Sequence, residues 1–365
     1  MAKPHHWNHL HAAQTAPAIG AYTTTMTLTD KPIPQPLHWH VLGAGAMGCL
    51  WACAMAMQAR DGASGRAQVS LLLRHQAALL SYPGHIKSSA MAQPVVMPAH
   101  TTGGNVVDLP GQIDNLFVAT KAQDTLPALT GVAKYLTTDC RIVLLQNGLK
   151  VQREVSQQFG AERVFCLSTS HGAWLRAPFD VVHAGNGETW LGQLTPASDD
   201  SAARQQALLA VLPAQQLNIR IDDDIAARLW RKLAINCAIN ALTVIHDCRN
   251  GELLRIPAAR QTLTRLCHEI SALLQAIPAA PAIDDLFTQV QQVLMVTTDN
   301  ISSTLQDVRR ARDTEIDHLN GYLCELAAQH GLACPVNKAV LQQMRVLESR
   351  AKQAAQHTIN QRPLT

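Results

Sequence analysis

Between residues 37 and 221 short apolar runs of strand length alternate with longer runs of helical length. "HWHVL", "VSLLLRH", "NLFVATK" and "RIVLLQNG" are the short ones, and a polar residue follows the apolar stretch in the last three. "CLWACAMAMQA" and "DTLPALTGVAKYL" are helix-like stretches between them. Strands alternating with helices predict a parallel, doubly wound sheet. Further on, "RVFCLSTSHGAW" and "DVVHAGNGETWLGQL" add strand patterns, the latter split by Gly185-Asn186-Gly187. That tripeptide has hairpin chemistry and predicts antiparallel strands at the end of the sheet. "ASDDSAARQQ" opens one more helix, and "LNIRI" is a final strand. From Asp222 onward only helical periods remain. Asp222, Asp223 and Asp224 stand where carboxylates favour a helix N-terminus. The expected spans are therefore an extension over 1–36, an α/β domain over 37–221 and an all-helical domain over 222–365.

Composition narrows the partners. Of 365 residues, 47% are apolar and 16% charged, enough for two cores. The net charge of +3 comes without blocks of Lys or Arg, which argues against nucleic acid. Nine cysteines lie scattered with no CxxC pair, a pattern of reduced thiols in a cytoplasm. No apolar run reaches membrane-spanning length. The first 36 residues lack periodicity and read as a disordered extension, with Met26 as an alternative start. Their cluster of His5, His6, His9 and His11 has no Cys or carboxylate nearby to complete a metal site.

"GAGAMG" (Gly43, Ala44, Gly45, Ala46, Met47, Gly48) follows the first strand and opens a helix. In that context the glycines have separate tasks: a tight turn, close approach of a pyrophosphate, and close packing of helix on strand. The anion then sits at the positive helix end. The second strand ends in Arg74, not in the Asp or Glu that would grip a ribose 2′-hydroxyl. A cation there suits a 2′-phosphate, hence NADPH. Its spacing from the glycines exceeds the usual ~20 residues, an excess assigned to the loop 61–67. Lys121 and Asn147 follow later strands, on the sheet edge where such folds bind ligands.

"LWRKLAINCAIN" places Lys232, Asn236 and Asn240 four apart on one face of an otherwise apolar helix. Polar groups in such a setting need a partner or a ligand. Asn250, at the Asn-Gly turn of "RNGEL", is a loop amide within reach of the same cleft. In "TTDNISSTLQDVRRARDTEIDHLNG", Asn300 and Ser303 share a helical face. Glu315 lies twelve residues beyond Ser303, about 18 Å away on an unbroken helix. Asp313-Thr314 resembles a fresh N-cap, so a break is expected between Arg310 and Thr314. No HExxH, Cys/His ligand spacing or GxSxG elbow is present, so no metal is expected.

These stretches together resemble the ketopantoate reductase family. The carriers are "GAGAMG", "TKAQ", "QNG", "LWRKLAINCAIN", "NGEL", "NISSTLQD" and "TEIDHLNG" in that order. The resemblance implies an N-terminal Rossmann domain binding NADPH, an all-helical C-terminal domain, and a 2-keto acid substrate between them. It implies Lys232 as the acid and Glu315 as an assisting carboxylate that orients Lys232 or binds the substrate hydroxyl. It also implies that Asn147, Asn236, Asn240, Asn250, Asn300 and Ser303 line the substrate cleft. Gly43, Gly45, Gly48, Arg74 and Lys121 match its cofactor positions. The chain departs from the family in its N-terminal extension and in its longer loop before the second strand, both bearing on the surroundings of Arg74. A monomer or homodimer is expected. Reduction of another branched 2-keto acid, and a dinucleotide sensor without catalysis, remain the alternative readings.

Overall fold

The computed structural model describes residues 37–58, 68–89, 93–102, 109, 111–195, 198–278 and 280–360. The extension 1–36 with its histidines and the loop 61–67 lie outside the described residues. Among the described residues twelve strands are formed: β1 (His38–Leu42), β2 (Gln68–Leu73), β3 (His85–Ser88), β4 (Val95–Val96), β5 (Ala99–Thr101), β6 (Ile113–Val118), β7 (Leu136–Leu144), β8 (Val164–Thr169), β9 (Gly172–Ala177), β10 (Asp180–Gly185), β11 (Thr189–Gly192) and β12 (Ile219–Ile221). Eight of them make the main sheet in the order β12-β11-β8-β7-β6-β1-β2-β5. From β5 to β8 all pairs are parallel. The β11–β8 pair is antiparallel, as the sequence predicts for the end of the sheet. Read outward from β1, this is the Rossmann order, with its reversal between β1 and β6. The strands are buried along nearly their whole length because both faces are covered.

The Gly185-Asn186-Gly187 hairpin is not formed. The strands on either side belong to different sheets: β10 pairs with β9, and β11 with β8. The turn is instead Pro178-Phe179, where Pro sets one φ and Phe179 takes a φ of 60°. Gly187 is needed for another reason. A Cβ there would lie 2.5 Å from the Ser170 carbonyl carbon, so the connection crosses close over the exit of β8.

β9 and β10 join β3 and β4 in a second sheet, ordered β4-β3-β10-β9. This sheet explains α1 (Ala46–Gln58), whose sequence has no polar face. Every residue from Gly48 to Met55 is buried. The main sheet covers one side of the helix and the small sheet the other, forming one core with Trp39, Trp51, Phe117 and Val181.

α2 (Gln76–Ser81), α3 (Ala122–Val132), α4 (Lys150–Phe159) and α5 (Asp199–Leu209) complete the α/β part. All described elements after β12 are helical: α6 (Ile225–Ile245), α7 (Pro257–Ala276), α8 (Leu286–Val296), α9 (Ser303–Arg309), α10 (Asn320–Gln329) and α11 (Pro335–Asn360), with short 3-10 turns. Asp224 is the N-cap of α6, its carboxylate accepting from Ala227 N at 3.0 Å. α6 is the axis of the helical part, packed by α7, α8, α10 and α11. No helix among the described residues is long and apolar enough to cross a membrane.

Candidate active site

β1 runs into Gly43, whose φ of 100° admits few other residues. A Cβ on Gly43 would stand 2.8 Å from Thr120 N, and one on Gly48 would stand 1.9 Å from the Gly43 carbonyl oxygen. These two glycines serve the turn and the helix packing. Gly45 differs, because nothing lies within 4 Å of where its Cβ would be. That open space fronts the first turn of α1, whose leading N–H groups have no intrahelical acceptors. A cradle of this kind fits a pyrophosphate. Gly43, Ala44 and Gly45 line a cavity of about 690 Å³ together with Arg74, Thr102, Lys121 and Asp124. It lies at the carboxyl ends of β1, β2, β5 and β6, beside the reversal in strand order.

A second cavity of about 1030 Å³ lies between the sheet and the helices. Met47, Asn147, Lys232, Asn300 and Ser303 are on its wall, as are Thr169 to Trp174, Val296, Gln306, Arg309 and Arg310. Sequence-distant positions from five predicted motif regions thus meet in two spaces, one lined by Gly45 and the other by Met47 of the same glycine-rich stretch. Lys232 is partly exposed, and its Nζ donates to the Thr169 carbonyl oxygen at 2.9 Å. Burial pulls its pKa down to about 8, while the Glu315 carboxylate pulls in the opposite direction.

Glu315 itself is engaged elsewhere. Its Oε2 accepts from Asn147 Nδ2 at 3.1 Å, and its Oε1 accepts from Ala122 N at 3.0 Å at the start of α3. The amine is thus oriented by Thr169, with Glu315 acting on it through space. The expected chain break explains how Glu315 comes to the site at all. α9 ends at Arg309, Ala311 takes a φ of 50°, and a new turn begins at Ile316.

The other expected positions divide between the cavity lining and the packing around it. Asn300 precedes α9 and Ser303 begins it, with Ser302 as N-cap, so they share a cavity without sharing a helical face. Asn236 is half-buried and Asn240 buried, deeper along α6 than Lys232. Asn250 is buried too; its Nδ2 donates to Thr297 Oγ1 at 2.9 Å, and its backbone N donates to the Asn300 carbonyl at 3.0 Å. Asn236, Asn240 and Asn250 are outside the lining of both cavities. Lys121 lines the smaller cavity, yet its Nζ pairs with Asp307 Oδ2 at 2.8 Å and also donates to the Asp313 carbonyl.

The sequence reading missed Thr169 and His171. His171 Nε2 bonds the Leu217 carbonyl at 3.0 Å, which requires a proton on that nitrogen. Its Nδ1 is then the acceptor for Gly187 N–H at 3.1 Å and for His183 Nε2–H at 3.0 Å. Backbone N–H of His171 in turn donates to Thr169 Oγ1 at 3.2 Å. The imidazole fixes the strand exit whose carbonyl holds Lys232. A signal was available: "STSHG" spans the end of a buried strand, the sheet edge that singled out Lys121 and Asn147. Among the described residues no group of three or more His, Cys, Asp or Glu is placed to hold a metal ion.

Two family models match the chain. Residues 39–196 fit "Ketopantoate reductase PanE/ApbA", and residues 224–348 fit "Ketopantoate reductase PanE/ApbA C terminal". A 2-dehydropantoate 2-reductase of Escherichia coli O157:H7 is 32% identical over 309 residues, covering 85% of this chain and 94% of that protein. The chain belongs to the ketopantoate reductase family. It is accordingly an oxidoreductase. Solved structures agree in fold. A ketopantoate reductase family member from Ralstonia eutropha JMP134 has a TM-score of 0.73 at 24% identity, covering 87% of this chain and 100% of that one. D-mandelate dehydrogenase with NADH and anilino(oxo)acetate has a TM-score of 0.75 at 21% identity, covering 86% and 99%. The chain shares with them a mostly parallel sheet followed by helices.

Proposed function

We propose that the chain reduces 2-dehydropantoate to (R)-pantoate with NADPH, Lys232 serving as the general acid. The names of its relatives support the substrate. The observation that carries the mechanism is the Lys232 amine, lowered to about 8 and set on the wall of the larger cavity. The backbone N–H groups of Gly43 to Gly48 would hold the pyrophosphate, Arg74 the 2′-phosphate, and Lys121 and Asn147 further parts of the dinucleotide. When bound, the dinucleotide supplies the hydride.

Reduction of a ketone places negative charge on its oxygen. A protonated Lys232 both attracts that oxygen and gives it a proton, leaving a neutral amine that solvent reprotonates. The Thr169 carbonyl keeps one N–H in place, so the remaining ones are directed by default elsewhere. Asn300 and Ser303 offer hydrogen bonds to the substrate carboxylate, and Arg310 adds positive charge to the same wall. Asn250 supports this wall from behind through Thr297 and Asn300, and Asn236 and Asn240 lie further along the helix that carries Lys232. The near-neutral charge and nine free thiols support a cytoplasmic enzyme acting on a small 2-keto acid.

The test is oxidation of NADPH in the presence of 2-dehydropantoate, alongside other branched 2-keto acids ranked by kcat/KM. The expected result is highest kcat/KM on 2-dehydropantoate, and a loss of at least about a hundredfold in kcat for Lys232→Ala. Near-normal turnover by that variant would refute the acid role. A higher kcat/KM on another keto acid would reassign the substrate.

A further inference from the structure

The sequence offers Arg74 as a contact for a 2′-phosphate and no carboxylate at the end of β2. The structure places a carboxylate there from another element. Asp124, in the first turn of α3, stands 2.6 Å through Oδ1 from Arg74 Nη2, and both side chains line the smaller cavity. The third charged residue on that lining is Lys121, which is drawn to Asp307. The Arg74–Asp124 pair therefore sets the charge at this end of the crevice, and it is balanced.

We propose that Asp124 is a specificity-determining residue for the dinucleotide, holding the Arg74 guanidinium and setting the preference between phosphorylated and unphosphorylated ribose. This rests on the reading that the crevice binds a nicotinamide dinucleotide. A 2′-phosphate carries close to two negative charges and needs the donor fork of Arg74, for which the Asp124 carboxylate competes. An unphosphorylated 2′-hydroxyl meets the opposite situation. It is a donor, and Asp124 is an acceptor of the type that dinucleotide folds use for that hydroxyl. Arg74 thus favours one cofactor and Asp124 the other, and their ion pair tempers the discrimination that Arg74 alone would impose. A carboxylate in the first turn of α3 also suits the helix dipole, so removal of its charge has a small structural effect that must be measured separately.

Isothermal titration of the full chain with 2′,5′-ADP and with 5′-ADP reads this without turnover. Asp124→Asn is expected to tighten 2′,5′-ADP up to about fivefold, the scale of one partly exposed ion pair, and to weaken 5′-ADP. Arg74→Ala in the Asp124→Asn background is expected to abolish the gain. A thermal melt of each variant shows whether the fold is kept; where Asp124→Asn melts early, Asp124→Ser repeats the comparison. Equal changes for both ligands, or none, would overturn the role of Asp124. Wild-type protein that binds neither ligand, nor NADPH nor NADH, would overturn the dinucleotide reading itself.

Discussion

An ammonium lowered to about 8 changes charge within the range of an ordinary assay. For ketone reduction Lys232 must hold its proton, so kcat is expected to be level below that value and to fall as pH rises through it. Oxidation of the product should show the opposite limb. Lys232→Arg keeps a cation but cannot give up its proton, so it should bind substrate with little turnover and lose the limb near 8. An unchanged alkaline limb in that variant would remove Lys232 from the role. The sequence made the lysine visible because a cation on an apolar helix needs an explanation. It did not show that Thr169 orients the amine, since a backbone carbonyl leaves no mark in residue identity. Nor did it show that Asn236 and Asn240 lie outside the cavity lining that holds Lys232, or that Asn250 turns to Thr297. A four-residue spacing fixes a helix face, but not how far along the helix a ligand reaches.

Helix α1 and its glycines allow a sharper comparison. Gly48→Ala puts a methyl into the Gly43 carbonyl, so the helix must move. A loss of at least about 3 kcal/mol is expected, as for overpacking at rigid backbone, measured by urea unfolding. Gly45→Ala meets open space in the protein alone, so stability should hardly change. Its methyl would occupy the pyrophosphate approach, so NADPH affinity should fall at least about tenfold by fluorescence titration. Equal effects of the two substitutions would undo this division of labour. Most of the parallel sheet was legible because its strands contain short apolar runs bounded by glycine or polar residues. The small sheet was not. β4 has two residues, and β3 meets β10 across some 90 residues of chain. The tripeptide between β10 and β11 misled for a related reason: turn chemistry is local, whereas pairing partners are chosen by the tertiary fold.

The α/β and helical parts are joined through polar contacts as well as packing: Lys232 to Thr169, Glu315 to Ala122 and Asn147, and Lys121 to Asp307. Stability of the assembly should depend on pH through a different group. His40, on β1, is 4% exposed, and burial together with His38 and His100 lowers its pKa to about 4. In the unfolded chain the value returns to 6.5, so as pH falls the unfolded state takes the proton first. The stabilisation is complete above 6.5 and is lost progressively down to about 4, by up to about 3 kcal/mol. Urea midpoints at pH 7.5 and 5.0 check this, and His40→Leu should shrink the difference. The enclosure of α1 between two sheets bears on ligand capture. Because the helix is packed on both sides, the anion cradle at its first turn should need little ordering when a phosphate arrives. Amide protons from Leu50 to Met55 should consequently exchange with deuterium only through global opening, at rates that ligand changes no more than it changes overall stability.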